Sequence, residues 1–252
     1  MAVIPLGPAS SGQRAFPIIN YVLILANIVV FVFEVTHGQH IADCVTNAYV
    51  MVPADILSNT AHALLVAGCA FHEPIPVYGT LFTAMFLHAN LIHLGGNMLY
   101  LWAFGGNVEA RLGHLPYAIF YFLCGLAASA AQIAFSVYAR QTDVPTLGAS
   151  GAIAGVLGAF LIFFPGSKVR TVIFFGLVVL VRLAAFLVIG FFIVLQLVEA
   201  ALEVEAVRHG QAQGSGVAFF AHIGGFVVGM LLAVIIRIAS GSPTPASQAY
   251  RR

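Results

Sequence analysis

Charge is what this 252-residue chain has least of. Asp, Glu, Lys and Arg together make up 8% of it, where a soluble domain carries roughly a quarter. That scarcity excludes a water-facing surface for most of the chain. Ten Lys and Arg residues and a net charge of +1 supply no clustered cationic surface, which excludes nucleic acid as a partner. Cysteine is scarcer still. Cys44, Cys69 and Cys124 form no CxxC pair and stand near no His at zinc-finger spacing, which argues against a structural zinc site and a disulfide scaffold. A single Cys44–Cys69 bridge stays open if their loop faces an oxidising compartment. His72-Glu73 lacks the H-E-x-x-H spacing of a zinc protease, and no metal or cofactor is expected.

What is abundant is apolar: 61% of residues are hydrophobic, and the mean hydropathy is +1.00. A helix needs about 20 mostly apolar residues to cross a bilayer. Such runs lie near 17–35, 90–108, 115–136, 149–165, 183–200 and 217–238, predicting an all-α polytopic membrane protein with six transmembrane helices. The run Ile18–Phe33 is long for a signal peptide and no A-x-A site follows it, so it reads as the first span. The apolar stretch 171–181 is short for a span and lies between Arg170 and Arg182, so it reads as interfacial or re-entrant.

Positive charge sets the orientation. With a cytoplasmic N-terminus, the inner side receives Arg14, Arg111, Lys168, Arg170, Arg182, Arg237, Arg251 and Arg252, leaving Arg140 and Arg208 outside. The expected organisation is a cytoplasmic segment over 1–16, a membrane domain over 17–238 and a disordered cytoplasmic tail over 239–252, with both termini in the cytoplasm of a bacterial cell. The long outer loop 36–89, with apolar runs such as AHALLVAGCA, predicts short helices lying on the membrane.

Polar groups inside a membrane are costly, so each is a functional candidate. Three clusters stand out: LHANLIHLGGN at 87–97, GASGAIAG at 148–155 and AHIGGFVVG at 221–229. In this topology each lies near the start of a helix running from outside to inside, so all three share one depth. Ser150 begins the fourth helix, where free N–H groups and the helix dipole favour a developing oxyanion. His222 is placed to take the serine proton. His93 and Asn97, four apart, share a helix face and are candidate oxyanion donors beside the Ser150 N–H. His88 sits at the loop boundary, where it would shape the site or its access to water. The bland alternative is that Gly148, Gly151, Gly155, Gly158, Gly225 and Gly229 serve close helix packing whether or not catalysis occurs, and that Ser150 and His222 hydrogen-bond locally.

GASGAIAG with AHIGGFVVG, preceded by HANLIHLGGN, resembles the rhomboid family of intramembrane serine proteases over roughly 17–238. The resemblance implies a six-helix rhomboid-like bundle, a Ser150–His222 dyad without an acidic third member, and an oxyanion hole of His93, Asn97 and the Ser150 N–H. It implies transmembrane protein substrates in the lipid bilayer, cut near their outer ends without cofactor or metal. Glu109 and Arg111 in GNVEARLG match an E-x-R feature of structural character. Two positions depart from the pattern. Gly79-Thr80 stands where many members carry Trp-Arg, and Ala154 where some place a Tyr beneath the histidine, so His222 needs another orienting partner. The rivals are a non-catalytic relative that binds transmembrane helices and a small transporter; the latter would show repeats or ionisable relays, which are lacking. Oligomeric state is not set by these features.

Overall fold

The computed structural model describes residues 2–8, 16–60, 69, 75–174, 178–210 and 218–241. Helix α1, Ile18–Thr36, starts after Pro17 and gives way to Gly38 at φ 84°. Helices α2, Gln39–Tyr49, and α3, Pro53–Ser58, follow in the long loop. α3 has Pro at its first position, where the lost N–H costs nothing, and ends at Asn59 in the left-handed conformation. Three short helical turns make up α4, Val77–Phe86, which meets α5, Leu91–Leu112, at an 83° bend. Gly113, at φ 87°, then turns the chain into α6, His114–Ala139. α7 is Ser150–Phe163, α8 Ala185–Arg208 and α9 Phe219–Ala239. The short helices expected in the loop are present as α2 to α4; of AHALLVAGCA only Cys69 lies within the described residues. Cys69 is bonded to Cys44 across 25 residues, with Cα atoms 5.5 Å apart, so the bridge left open by the sequence exists.

Each expected membrane run holds a helix, but the six are not equal spans. α1, α6, α8 and α9 are long and apolar enough to cross a membrane, and α5 qualifies together with α4 across its bend. α7 has 14 residues, about 21 Å of rise against a hydrocarbon core of about 30 Å. The apolar run was longer than its helix for two reasons. Pro165 follows it, and the residue before a proline leaves the helical region. On the other side, the chain before Ser150 is held by backbone bonds to the loops: Thr146 pairs with Met51, and the Gly148 N–H donates to the Ala84 carbonyl at 2.8 Å.

The stretch 171–181 is, where described, extended chain and not one of the helices that could cross a membrane. It contributes to a hairpin of β2, Lys168–Phe174, and β3, Val178–Ala184, paired antiparallel from Lys168↔Ala184 to Phe174↔Val178. β1, Ala2–Pro8, adds to the other edge of β2, giving the order β1-β2-β3. Seven extended residues reach about 23 Å, so a run too short for a helical span is ample for a strand, and Val, Ile and Thr favour that conformation. The helical bundle keeps its class, with this small sheet beside it. The N-terminal segment is therefore partly a strand; residues 9–15 and the tail 242–252 lie outside the described residues.

The core is built around α7. Residues 151–160 are all buried. α7 and α9 run parallel in near contact: a Cβ on Gly225 would overlap the Gly151 carbonyl oxygen, and one on Gly229 the Gly155 carbonyl oxygen. Small residues let two backbones approach this closely where no apolar driving force separates lipid from helix. The packing reading of these glycines is thus correct, and it serves the site by bringing the starts of α7 and α9 to one level.

At the far end of α5, Glu109 is buried and accepts the Ile19 and Asn20 N–H groups at 2.9 and 2.7 Å, capping the start of α1; His114 Nδ1 lies on the same carboxylate. Asn20 in turn donates to the Leu101 carbonyl at 3.1 Å and accepts from Tyr117 Oη at 2.8 Å. Leu101 opens a π-helical turn, Leu101–Gly105, where the altered bonding leaves a carbonyl available. Arg111 donates to Ser240 Oγ at 3.2 Å and stands over the Phe163 ring. The E-x-R feature ties α1, α5, α7 and α9 together.

Candidate functional site

Ser150 is the first residue of α7, preceded by Gly148 at φ 119°. That conformation is strained for any residue with a Cβ. A Cβ there would also press on the His93 ring, 2.8 Å from Cε1 and 2.9 Å from Nε2. Gly148 therefore lets His93 and Asn97 of α5 lie against the turn that presents Ser150. His93 is set by the start of its own helix, where Asn90 Oδ1 accepts the His93 N–H at 2.9 Å as a cap.

His222 lies one turn into α9 and is buried. Its Nε2 is 2.6 Å from Ser150 Oγ. Its Nδ1 is 2.5 Å from Gln196 Oε1 on α8. An amide oxygen only accepts, so Nδ1 carries the proton and Nε2 presents its lone pair to the serine O–H. This is the protonation state in which an imidazole can take a proton from a hydroxyl. The Phe192 ring, one turn before Gln196, packs on the imidazole with centroids 5.9 Å apart. Gln196 and Phe192 thus supply the partner that Ala154, fully buried in α7, does not. Neither was read from the sequence, although a lone Gln inside an apolar run is the kind of signal that marks a site.

Asn97 is buried, and its Nδ2 donates to His88 Nε2 at 3.0 Å, while His88 Nδ1 donates to the Phe86 carbonyl at 3.3 Å. His88 stacks edge-on against His93, centroids 5.1 Å apart. His88 therefore holds the Asn97 amide from behind, and the second Asn97 N–H is left for the cavity. The sequence placed His88 at the loop boundary, and its bond to Asn97 was not foreseen.

All four predicted residues, Ser150, His222, His93 and Asn97, line one cavity of about 440 Å³, with Tyr100, Leu157 and Phe192 among its apolar walls. The cavity is large enough for a short stretch of peptide and holds a hydroxyl, a neutral imidazole acceptor and several N–H donors. Such a set suits acyl transfer: nucleophile, base and donors for a carbonyl oxygen within one volume. Among the described residues no group of His, Cys, Asp and Glu could hold a metal ion.

The Rhomboid domain model matches residues 77–239. Among curated relatives, the chain is 40% identical over 90 residues to Rhomboid protein 1, mitochondrial, of Saccharomyces cerevisiae, covering 35% of this chain and 26% of that protein. It is 41% identical over 81 residues to Rhomboid protease GluP of Bacillus subtilis, covering 32% and 15%. It is 30% identical over 164 residues to RHOMBOID-like protein 4 of Arabidopsis thaliana, covering 63% and 34%. The matches thus span about a third or less of these relatives' own lengths. With the domain model covering well over half of its residues, and with apolar helices that suit a multi-pass membrane protein, the chain belongs to the Rhomboid family.

Proposed function

We propose that this chain is an intramembrane serine endopeptidase that cuts transmembrane segments of other membrane proteins near the outer face, with Ser150 as nucleophile and His222 as general base. The observation that carries the reading is the 2.6 Å contact between Ser150 Oγ and the lone-pair nitrogen of His222, on the wall of a cavity that His93 and Asn97 also line. In the reaction Ser150 Oγ attacks the scissile carbonyl carbon while its proton passes to His222 Nε2. The negative oxygen of the tetrahedral intermediate is met by the Ser150 N–H, the free Asn97 N–H and His93. His222 then protonates the leaving amine, and water, activated by the same imidazole, releases the acyl group from Ser150.

A peptide bond in an intact helix has its carbonyl hydrogen-bonded and shielded, so a substrate must unwind locally to be cut. Gly, Pro or polar residues near the cut would ease that step, and the small residues around Ser150 favour a small side chain just before it. The Lys and Arg asymmetry supports an outward-facing site with both termini cytoplasmic, and the Cys44–Cys69 bond supports an oxidising compartment for the loop beside it. Our reading places the protein in a bacterial inner membrane, although the relatives' names include mitochondrial as well as bacterial proteins.

The alternative within the same family is a non-catalytic protein that binds transmembrane helices. A fluorophosphonate, which reacts only with activated serines, separates the two. The purified protein in lipid is expected to label at Ser150, and His222→Ala to lose the label. Failure of the wild-type protein to label in both detergent and lipid favours the binding protein.

A further inference from the structure

A second cavity, of about 480 Å³, lies beside the first and is lined by Glu34 at the end of α1 and by Asp43, Thr46 and Asn47 of α2. Ala89, Asn90 and Leu147 line both cavities, and His88 forms part of the wall of the second while holding Asn97 of the first. Glu34 is 4% exposed. One of its carboxylate oxygens receives Thr46 Oγ1 at 3.4 Å; the other, Oε2, is buried with no hydrogen-bond partner among the described residues. Asp43 adds a second acid, already accepting from Gln39 Nε2 at 2.8 Å.

A carboxylate this deeply buried beside a cavity is costly unless a cation offsets its charge. The structure assigns this cavity to a basic side chain, Lys or Arg, carried by the substrate a few residues from the scissile bond. The inference rests on the proteolytic reading above. Three features select that ligand. No Lys or Arg is among the described residues lining the cavity, so Glu34 has no cation of its own to pair with. The volume is far larger than a bare ion needs, and no described cluster of acids or histidines suits a metal. Finally, Phe31 and Val35 give the cavity an apolar flank beside its acidic end, matching a long side chain whose stem packs on apolar surface while its head finds charge. An extended peptide lying across Ser150 would reach this cavity over the shared rim of Ala89, Asn90 and Leu147.

The test is a lysine scan through a cleavable transmembrane substrate, with Gln at each position as the uncharged control, assayed with the full chain in lipid vesicles. At one position, on one side of the cut, Lys and Arg are expected to raise kcat/KM about tenfold or more over Gln, the size expected of a charge-assisted hydrogen bond. In Glu34→Gln that ratio should fall to about one, and in Asp43→Asn partway, because each variant keeps shape while removing charge. Folding of both is checked by thermal melting. Cleavage of the Gln substrates without a Lys preference at any position overturns the basic subsite and leaves the protease reading standing, whereas cleavage of no substrate at all overturns the protease reading itself. Calorimetric binding of calcium that is lost in Glu34→Gln would overturn the assignment in favour of a metal site.

Discussion

Two buried polar clusters, at opposite ends of α5, are built from similar side chains and behave as opposites. At one end Glu109, His114, Asn20 and Tyr117 satisfy one another and cap α1. At the other end Ser150, His222, His93 and Asn97 face a cavity of about 440 Å³. Burial and a histidine are therefore not what marks a site. The difference is that the first cluster is closed on itself and on the backbone of its neighbours, whereas the second pairs a hydroxyl with an imidazole lone pair on the wall of an open cavity that Asn97 and His93 also line. If the contrast is real, substitutions at one end should change rate and those at the other should change stability.

Outside the Ser150–His222 pair itself, the largest predicted effect is at Asn97. Asn97→Ala removes a donor to the oxygen that becomes charged only during reaction, so kcat should fall about 10²–10³-fold with KM within a few-fold. Steady-state kinetics in lipid checks it, and a rise in KM at unchanged kcat would move Asn97 to substrate binding. Next is Gln196, which orients His222 without touching the reacting atoms. Gln196→Ala should lower kcat roughly tenfold, the worth of about one hydrogen bond, and Gln196→Glu, which keeps an acceptor for Nδ1, should recover most of it. Equal loss in both variants would show that Gln196 acts by packing alone. The smallest effect on rate is at the other end. Glu109→Gln should cost about 1–3 kcal/mol of stability through poorer capping of the α1 N–H groups, seen as a lower melting temperature, with kcat/KM unchanged well below it. A rate defect in fully folded Glu109→Gln would erase the distinction between the two clusters.

How far the sequence reached can be judged residue by residue. Ser150, His222, His93 and Asn97 were legible because a polar group in an apolar run stands out, and because three such groups fell at matching helix starts. The packing of α7 on α9 was legible in the glycine spacing. Gln196 and Glu34 carried the same kind of signal, but each sits near the end of its apolar run, where a polar residue also marks the approach to water, and nothing local reports that the Gln196 turn faces His222. The role of His88 was hidden because its partner lies nine residues away across the bend between α4 and α5. The hairpin of β2 and β3 was missed because a short apolar run fits a strand and a helix alike, and its pairing with β1 joins segments far apart in the chain, Ala2–Pro8 and Lys168–Phe174. The shortness of α7 was concealed by Phe164 and Pro165, apolar residues that extend the run past the helix.

The central claim, that the Ser150–His222 contact is the working chemistry of a protease, is tested most directly by cleavage of a transmembrane substrate in lipid vesicles, comparing wild type with Ser150→Ala and His222→Ala at equal folded concentration. Nucleophile and base act as one unit, so each variant should lose essentially all activity while keeping its melting temperature. Cleavage by Ser150→Ala at a rate comparable to wild type, or loss in only one of the two variants, would contradict the account.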